Sequence, residues 1–182
     1  MTRPLIAVAA VALTTLLSAC STMAPMSMSM PTPQAPAAVT APVGNKVAMM
    51  AVGAGDLNYE CRAKADMPGT FAWVFTGPDA LLLDKNKATV GKYYGGPTWE
   101  STDGSKVSGK QLATAPGVAG AIALQLVQAS PAMGSGAMTG VTFIQRLNTI
   151  GGVAPADVCN QAAMGSKKLV KYQADYYFYK AM

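Results

Sequence analysis

Between Val170 and Phe178 the chain alternates strictly. Val170, Tyr172, Ala174, Tyr176 and Phe178 are interleaved with Lys171, Gln173, Asp175 and Tyr177. A repeat of two places the first set on one side of an extended chain and the charged or polar set on the other. Helical spacing fits this stretch badly, and its Tyr and Phe content favours a strand. One face of this segment therefore lies on a core.

The chain from Val47 onward repeats the pattern in shorter pieces. Leu57, Tyr59 and Cys61 share one face, and Phe71 to Phe75 reads as a second strand closed by Gly77-Pro78. Ala80 to Leu83 precedes a turn-like Asp84 to Lys87. Thr89 to Tyr94 reads as a strand ending at Gly95-Gly96-Pro97. Ile122, Leu124 and Leu126 share a face, as do Val141, Phe143 and Leu147. Apolar runs broken by turn residues about every eight to twelve positions predict an all-β domain, an antiparallel sandwich or barrel of short strands. At most one or two short helices are expected. Residues 154–164 are the best candidate, and residues 121–129 read better as extended.

The N-terminus carries a different message. Arg3, an apolar run from Leu5 to Leu17 and Leu17-Ser18-Ala19-Cys20 have the layout of a bacterial lipoprotein signal peptide. The apolar run is shorter than the roughly 20 residues that span a bilayer. Residues 1–19 are expected to be removed, leaving Cys20 acylated. Each buried methylene contributes roughly 0.8 kcal/mol, so two or three acyl chains give lasting attachment. Ser21 in place of an acidic residue favours the outer membrane, with the protein facing the periplasm. Residues 20–46 are rich in Met, Pro and Ala and hold no charge before Lys46. They read as a disordered tether to a single globular domain at 47–182. Met23, Met26, Met28 and Met30 form a thioether cluster of the kind that suits Cu(I), although no histidine or second Met cluster accompanies it.

Composition removes several function classes. The net charge is +5 with only 13% charged residues, and the basic residues are spread singly apart from Lys167-Lys168. A nucleic-acid surface would concentrate them in a stripe with aromatics. Histidine is absent, so there is no Ser-His-Asp or Cys-His pair and no histidine metal site. An enzyme on this chain would rely on carboxylates, Lys or Tyr. No motif calls for a cofactor. With Cys20 carrying lipid, Cys61 and Cys159 remain, and in an oxidising compartment two such thiols pair.

Several stretches stand in a telling order: Asn58-Tyr59-Glu60-Cys61, Gly96-Pro97-Thr98-Trp99-Glu100, Asp103-Gly104-Ser105, Gln145-Arg146, Thr149-Ile150-Gly151-Gly152 with Ala154-Pro155 and Cys159, and Tyr172 to Tyr179. Together they resemble a family of secreted bacterial and fungal proteins known only as a domain of unknown function. The resemblance implies an exported, disulfide-bearing, mainly β domain over Val47 to Met182, and it carries no activity. It also implies a histidine in many members where this chain has Tyr93.

The richest candidate site is the segment Tyr93 to Ser105 with Arg146 and Asn148 as neighbours. Trp99 offers an aromatic platform or a core residue, and Glu100 and Asp103 supply acceptors. Arg146 supplies a planar fork for a carboxylate or phosphate, or else a solvated cross-strand ion pair on the face opposite Phe143 and Leu147. Three functions follow: a non-enzymatic lipoprotein binding an envelope protein or small molecule, a hydrolase using Glu100, Asp103 or Tyr, and a Cu(I)-handling lipoprotein. The expected partners are the membrane, through the acyl chains, and that protein or small molecule. Intact-mass measurement of native material should show a chain starting at Cys20 with added acyl mass, and Cys20→Ser should abolish both. An unmodified Met1 in native material would refute the anchor.

Overall fold

The computed structural model describes residues 30–182. The signal peptide, Cys20, Met23, Met26 and Met28 lie outside the described residues. The chain forms β1 (Asn45–Ala63), β2 (Phe71–Leu83), β3 (Thr89–Tyr94), β4 (Thr98–Ser101), β5 (Lys106–Ala115), β6 (Leu124–Ala129), β7 (Val141–Gly151) and β8 (Lys167–Ala181). Each strand pairs antiparallel with the next, and β8 returns to pair with β1, giving a closed up-and-down barrel. The only helical pieces among the described residues are two 3-10 turns, Ala37–Val39 and Gln161–Ala163. The second lies within the expected helix at 154–164, which is otherwise irregular.

Alternation decides which side chains enter the barrel. Leu57 and Tyr59 of β1 and Tyr172, Ala174, Tyr176 and Phe178 of β8 belong to one buried cluster with Tyr93, Trp99, Val107, Val127 and Ile144. Lys171, Gln173 and Asp175 lie on the other side of β8. Gly53 makes room for the largest of these groups, because a Cβ there would sit 2.5 Å from Tyr176 Cε2. The outer wall carries the charge: Lys171 Nζ meets Asp56 Oδ2 at 2.8 Å, and Lys92 Nζ meets Glu100 Oε1 at 3.5 Å. An aromatic inside and a charged outside invert the pattern of a barrel immersed in lipid.

Four expectations are corrected here. The strands are not uniformly short: β1 has 19 residues, β8 has 15 and β2 has 13. Gly77-Pro78 does not close the second strand, which continues to Leu83. The register shifts there, with Asn58 opposite Gly77 and Tyr59 opposite Phe75, so Thr76 is an extra residue. A bulge is one of the few places where a strand tolerates proline. A second bulge lies between Val141 and Phe143. It sends Val141 to the interior cluster, while Phe143 and Leu147 face outward. Likewise Ile122, ahead of β6, packs on the interior, and Leu124 and Leu126 pack outside.

That outer apolar patch is covered. Val39 is fully buried against Ala115, Leu126 and Leu147, with Ala35, Ala41, Phe143 and Tyr177 around it. Gln145 Nε2 donates to Val39 O at 2.6 Å, and Tyr179 Oη donates to Gln145 Oε1 at 2.8 Å. The part of the expected tether that is described is thus a strap held on β5, β6 and β7. Burying a valine contributes roughly 1.5–3 kcal/mol, and the glutamine satisfies a carbonyl that water can no longer reach.

Cys61 of β1 is disulfide-bonded to Cys159 in the β7–β8 connection, with Cα atoms 5.6 Å apart across 98 residues. Closing a loop of that length contributes about 4–5 kcal/mol in the chain-entropy account. Gly53→Val should destabilise the barrel by about 1–3 kcal/mol, the usual cost of overpacking. Urea unfolding would read the loss, and near-UV circular dichroism would report displacement of Tyr176. Wild-type stability in that variant would mean the Gly53–Tyr176 approach is not tight.

Candidate functional site

The β1–β2, β3–β4, β5–β6 and β7–β8 connections share one end of the barrel, and a cavity of about 420 Å3 opens there. That volume lies within the range of small-molecule sites. Its walls include Leu57, Ile122, Phe75, Pro78 and Pro97, and its polar groups come from Tyr59, Thr76, Tyr93, Gln111, Gln125 and Arg146.

Arg146 points inward because β7 alternates. Phe143 and Leu147 face the strap, so Ile144 and Arg146 face the barrel. The expected solvated ion pair is therefore absent. The guanidinium Nε and Nη2 both donate to Ala123 O, at 3.2 and 2.9 Å. The ion pairs among the described residues are Arg62–Glu60, Lys92–Glu100, Lys168–Asp157 and Lys171–Asp56, and none includes Arg146. A guanidinium has five N–H donors, so donors remain for a guest.

Four tyrosines surround this cation. Tyr93 stacks on Trp99 with centroids 4.6 Å apart, and Tyr176 tilts against Tyr93 at 5.3 Å. Tyr172 Oη and Tyr176 Oη are 3.4 Å apart, and Tyr59 Oη donates to Gly152 O at 2.7 Å. Burial raises the pKa of all four, while the Arg146 guanidinium pulls each the other way by less. They are neutral phenols at neutral pH, suited to donate hydrogen bonds rather than to abstract protons. Gly152 closes one side of this group: its φ is +78°, and a Cβ there would lie 2.9 Å from both Leu57 Cδ1 and Tyr172 Cβ.

The six expected site residues separate. Tyr93 and Arg146 line the cavity. Trp99 is fully buried beneath Tyr93 and offers no face to a ligand; its Nε1 has no hydrogen-bond partner. Glu100, one residue on, points outward, accepting from Tyr94 Oη at 2.5 Å beside Lys92. The Tyr94 hydrogen bond, then Lys92, hold its carboxyl below the usual range. Asp103 braces a turn by accepting from Ser105 Oγ at 2.6 Å, Ser105 N at 2.9 Å and Ala137 N at 2.7 Å. Asn148 is exposed, has φ of +49° at a bulge, and donates to Asp175 Oδ2 at 2.7 Å. Met30 is exposed at the start of the described residues. No three His, Cys, Asp or Glu side chains among the described residues come together to hold a metal ion.

Tyr59, Tyr172, Tyr176, Gln111 and Gln125 were not expected at the site. Tyr59 shares a face with Leu57, and Tyr172 and Tyr176 share one with Val170, so polar-tipped aromatics on inward positions were the available signal. A family model described as "Protein of unknown function (DUF3455)" matches residues 42–180. The match covers most of the chain, and the chain belongs to that family. No curated protein and no solved structure matches it.

The clamp on Asp103 carries a pH signature. The Ser105 hydroxyl, then the Ala137 and Ser105 amides, lower its pKa from 3.8 to about 2. A depressed carboxylate adds stability above its unfolded pKa and loses it as pH falls through the folded one. Wild-type stability should therefore drop between about pH 4 and about pH 2, and Asp103→Asn should flatten that fall. An unchanged acid profile in the variant would remove Asp103 from the turn's energetics.

Proposed function

We propose that this DUF3455 protein is a non-enzymatic, lipid-anchored binding module of the cell envelope, and that its site is the cavity at the barrel mouth. One observation carries the reading: a cavity of about 420 Å3 with mostly apolar walls holds an arginine that no carboxylate among the described residues pairs with. Charged groups inside a protein are ordinarily paired. An unpaired one facing a cavity is a specificity element awaiting a guest.

The anchoring half of the proposal rests on the Leu17-Ser18-Ala19-Cys20 signal, and the rigid half on the Cys61–Cys159 bridge. The hydrolase reading draws no support from the geometry. Glu100 and Asp103 lie outside the cavity in fixed hydrogen bonds, and the cavity phenols are neutral. The Cu(I) reading rests on Met23, Met26, Met28 and Met30, of which only the exposed Met30 lies among the described residues.

Thr76 is exposed and stands at the mouth, so Thr76→Trp should plug the cavity without disturbing the core. Thermal unfolding against a panel of envelope lipids, cell-wall fragments and metabolites should raise the wild-type Tm with at least one compound. A ligand at 100 times its Kd contributes about 2.7 kcal/mol. The same compound should leave Thr76→Trp unshifted. A panel that shifts neither protein, or shifts both equally, would displace the cavity as the site.

A further inference from the structure

We infer that the cavity takes an amphiphile bearing a single carboxylate, with the carboxylate on Arg146 and the apolar body toward the mouth. This rests on the cavity being the binding site.

The charge count favours a monoanion. Arg146 is the only Lys or Arg among the cavity-lining residues, and the other polar groups there are neutral. A phosphate or sulfate ester carrying more charge would bring excess negative charge into a space with one cation. A carboxylate matches the guanidinium in charge and in its two-oxygen geometry. None of the chain's nine carboxylates lines the cavity, and six are engaged elsewhere: Glu60 with Arg62, Asp157 with Lys168, Asp56 with Lys171, Asp175 with Asn148, and Glu100 and Asp103 as described. None competes for the site.

The walls favour an apolar body. Leu57, Ile122 and Phe75 supply hydrocarbon and aromatic surface, and Pro78 and Pro97 add backbone that donates no hydrogen bond. The apolar character continues outward. Met67, Val118, Val153, Val158 and Met164 are exposed on connections at the mouth end. The opposite end exposes Val43, Met133 and Met182.

The strap adds a geometric reason. Gln34 and Pro36 lie beside Pro116, Gly117 and Val118 at the mouth end, and Gly44 O accepts from Met182 N at the other. The chain therefore reaches the barrel at its open end. From Cys20 to Gln34 an extended chain covers at most about 50 Å. Under the anchoring proposed above, the mouth is held within that reach of the lipid surface, where single-chain carboxylates partition.

The test is a titration of the mature chain, residues 20–182 made without the signal peptide and carrying Cys20→Ser so that it has no acyl chains and needs no detergent, with decanoate, decan-1-ol, decyltrimethylammonium, decyl phosphate and acetate, read by calorimetry. Decanoate should bind at least about tenfold more tightly than the alcohol, the cation or the phosphate, as one charge-assisted contact supplies. Acetate should bind more weakly than decanoate for lack of an apolar body. Arg146→Gln should erase the preference for decanoate over decanol while leaving decanol affinity within about twofold. Decanol, the cation or decyl phosphate binding as tightly as decanoate to the wild type would overturn the ligand class and leave the cavity standing. Failure of all five to bind would overturn the cavity reading as well.

Discussion

Everything in this molecule depends on the seam between β1 and β8. Their pairing runs from Asn45 opposite Ala181 to Glu60 opposite Lys167, the longest ladder in the barrel. Without it the sheet would be an open ribbon with β1 and β8 as bare edges, and Tyr172, Tyr176 and Phe178 would face water. Closure abolishes the edges and gives the alternating face of β8 an enclosed volume to fill. Gly53 is part of the same seam, leaving the width that Tyr176 occupies. The interior becomes a packed aromatic stack with one unfilled end.

That end holds Arg146, which is half-buried. A cation partly withdrawn from water is favoured by hydrogen bonds and counter-charge. The chain supplies one carbonyl, Ala123 O, to Arg146. It sets the cation among four phenols that burial keeps protonated. Such an arrangement provides donors and a positive charge but no base within the cavity. Under the proposed function, that arrangement would hold an anion.

Much of the architecture was legible because β alternation is a local property. The inward set of β8 and the shared face of Leu57 and Tyr59 could be read directly, and so could the pairing of Cys61 with Cys159. What could not be read was which apolar face meets the interior. Phe143 and Leu147 look like core residues, and they are buried, but beneath Val39 on the outside. The strap gives the sheet a second apolar surface, so parity alone assigned Arg146 to solvent when it faces the barrel. Bulges compound the difficulty. One extra residue, Thr76 in β2 or Thr142 in β7, reverses the facing of everything before it. It leaves no mark in composition beyond a nearby Gly-Pro. Trp99 and Glu100 illustrate the same point at the site: adjacent residues on a strand cannot both face one ligand.

The rim of the cavity is unequally fixed. On one side lies the connection from Gly152 to Ser166, which is long for a barrel of this kind. Several ties hold it down: Tyr59 Oη to Gly152 O, Gly152 N to Lys171 O at 3.0 Å, Trp73 Nε1 to Asp157 O at 2.9 Å, Lys168 Nζ to Asp157 Oδ1 at 3.3 Å, Gly165 N to Cys61 O at 2.9 Å, and the Cys61–Cys159 bridge. They come from β1, β2 and β8, so that half of the mouth is stapled to the two seam strands and to β2. On the other side stand the Gly96-Pro97 hairpin and the Thr76-Gly77 bulge, where Gly77 has φ of +150° and Gly96 has φ of +85°. No side chain of theirs reaches across the mouth in a hydrogen bond; Thr76 Oγ1 donates to Asn58 O on the neighbouring strand. A fixed wall carrying Tyr59 faces an unlatched rim of small residues. Under the proposed binding role, little binding energy would be spent on ordering that fixed wall.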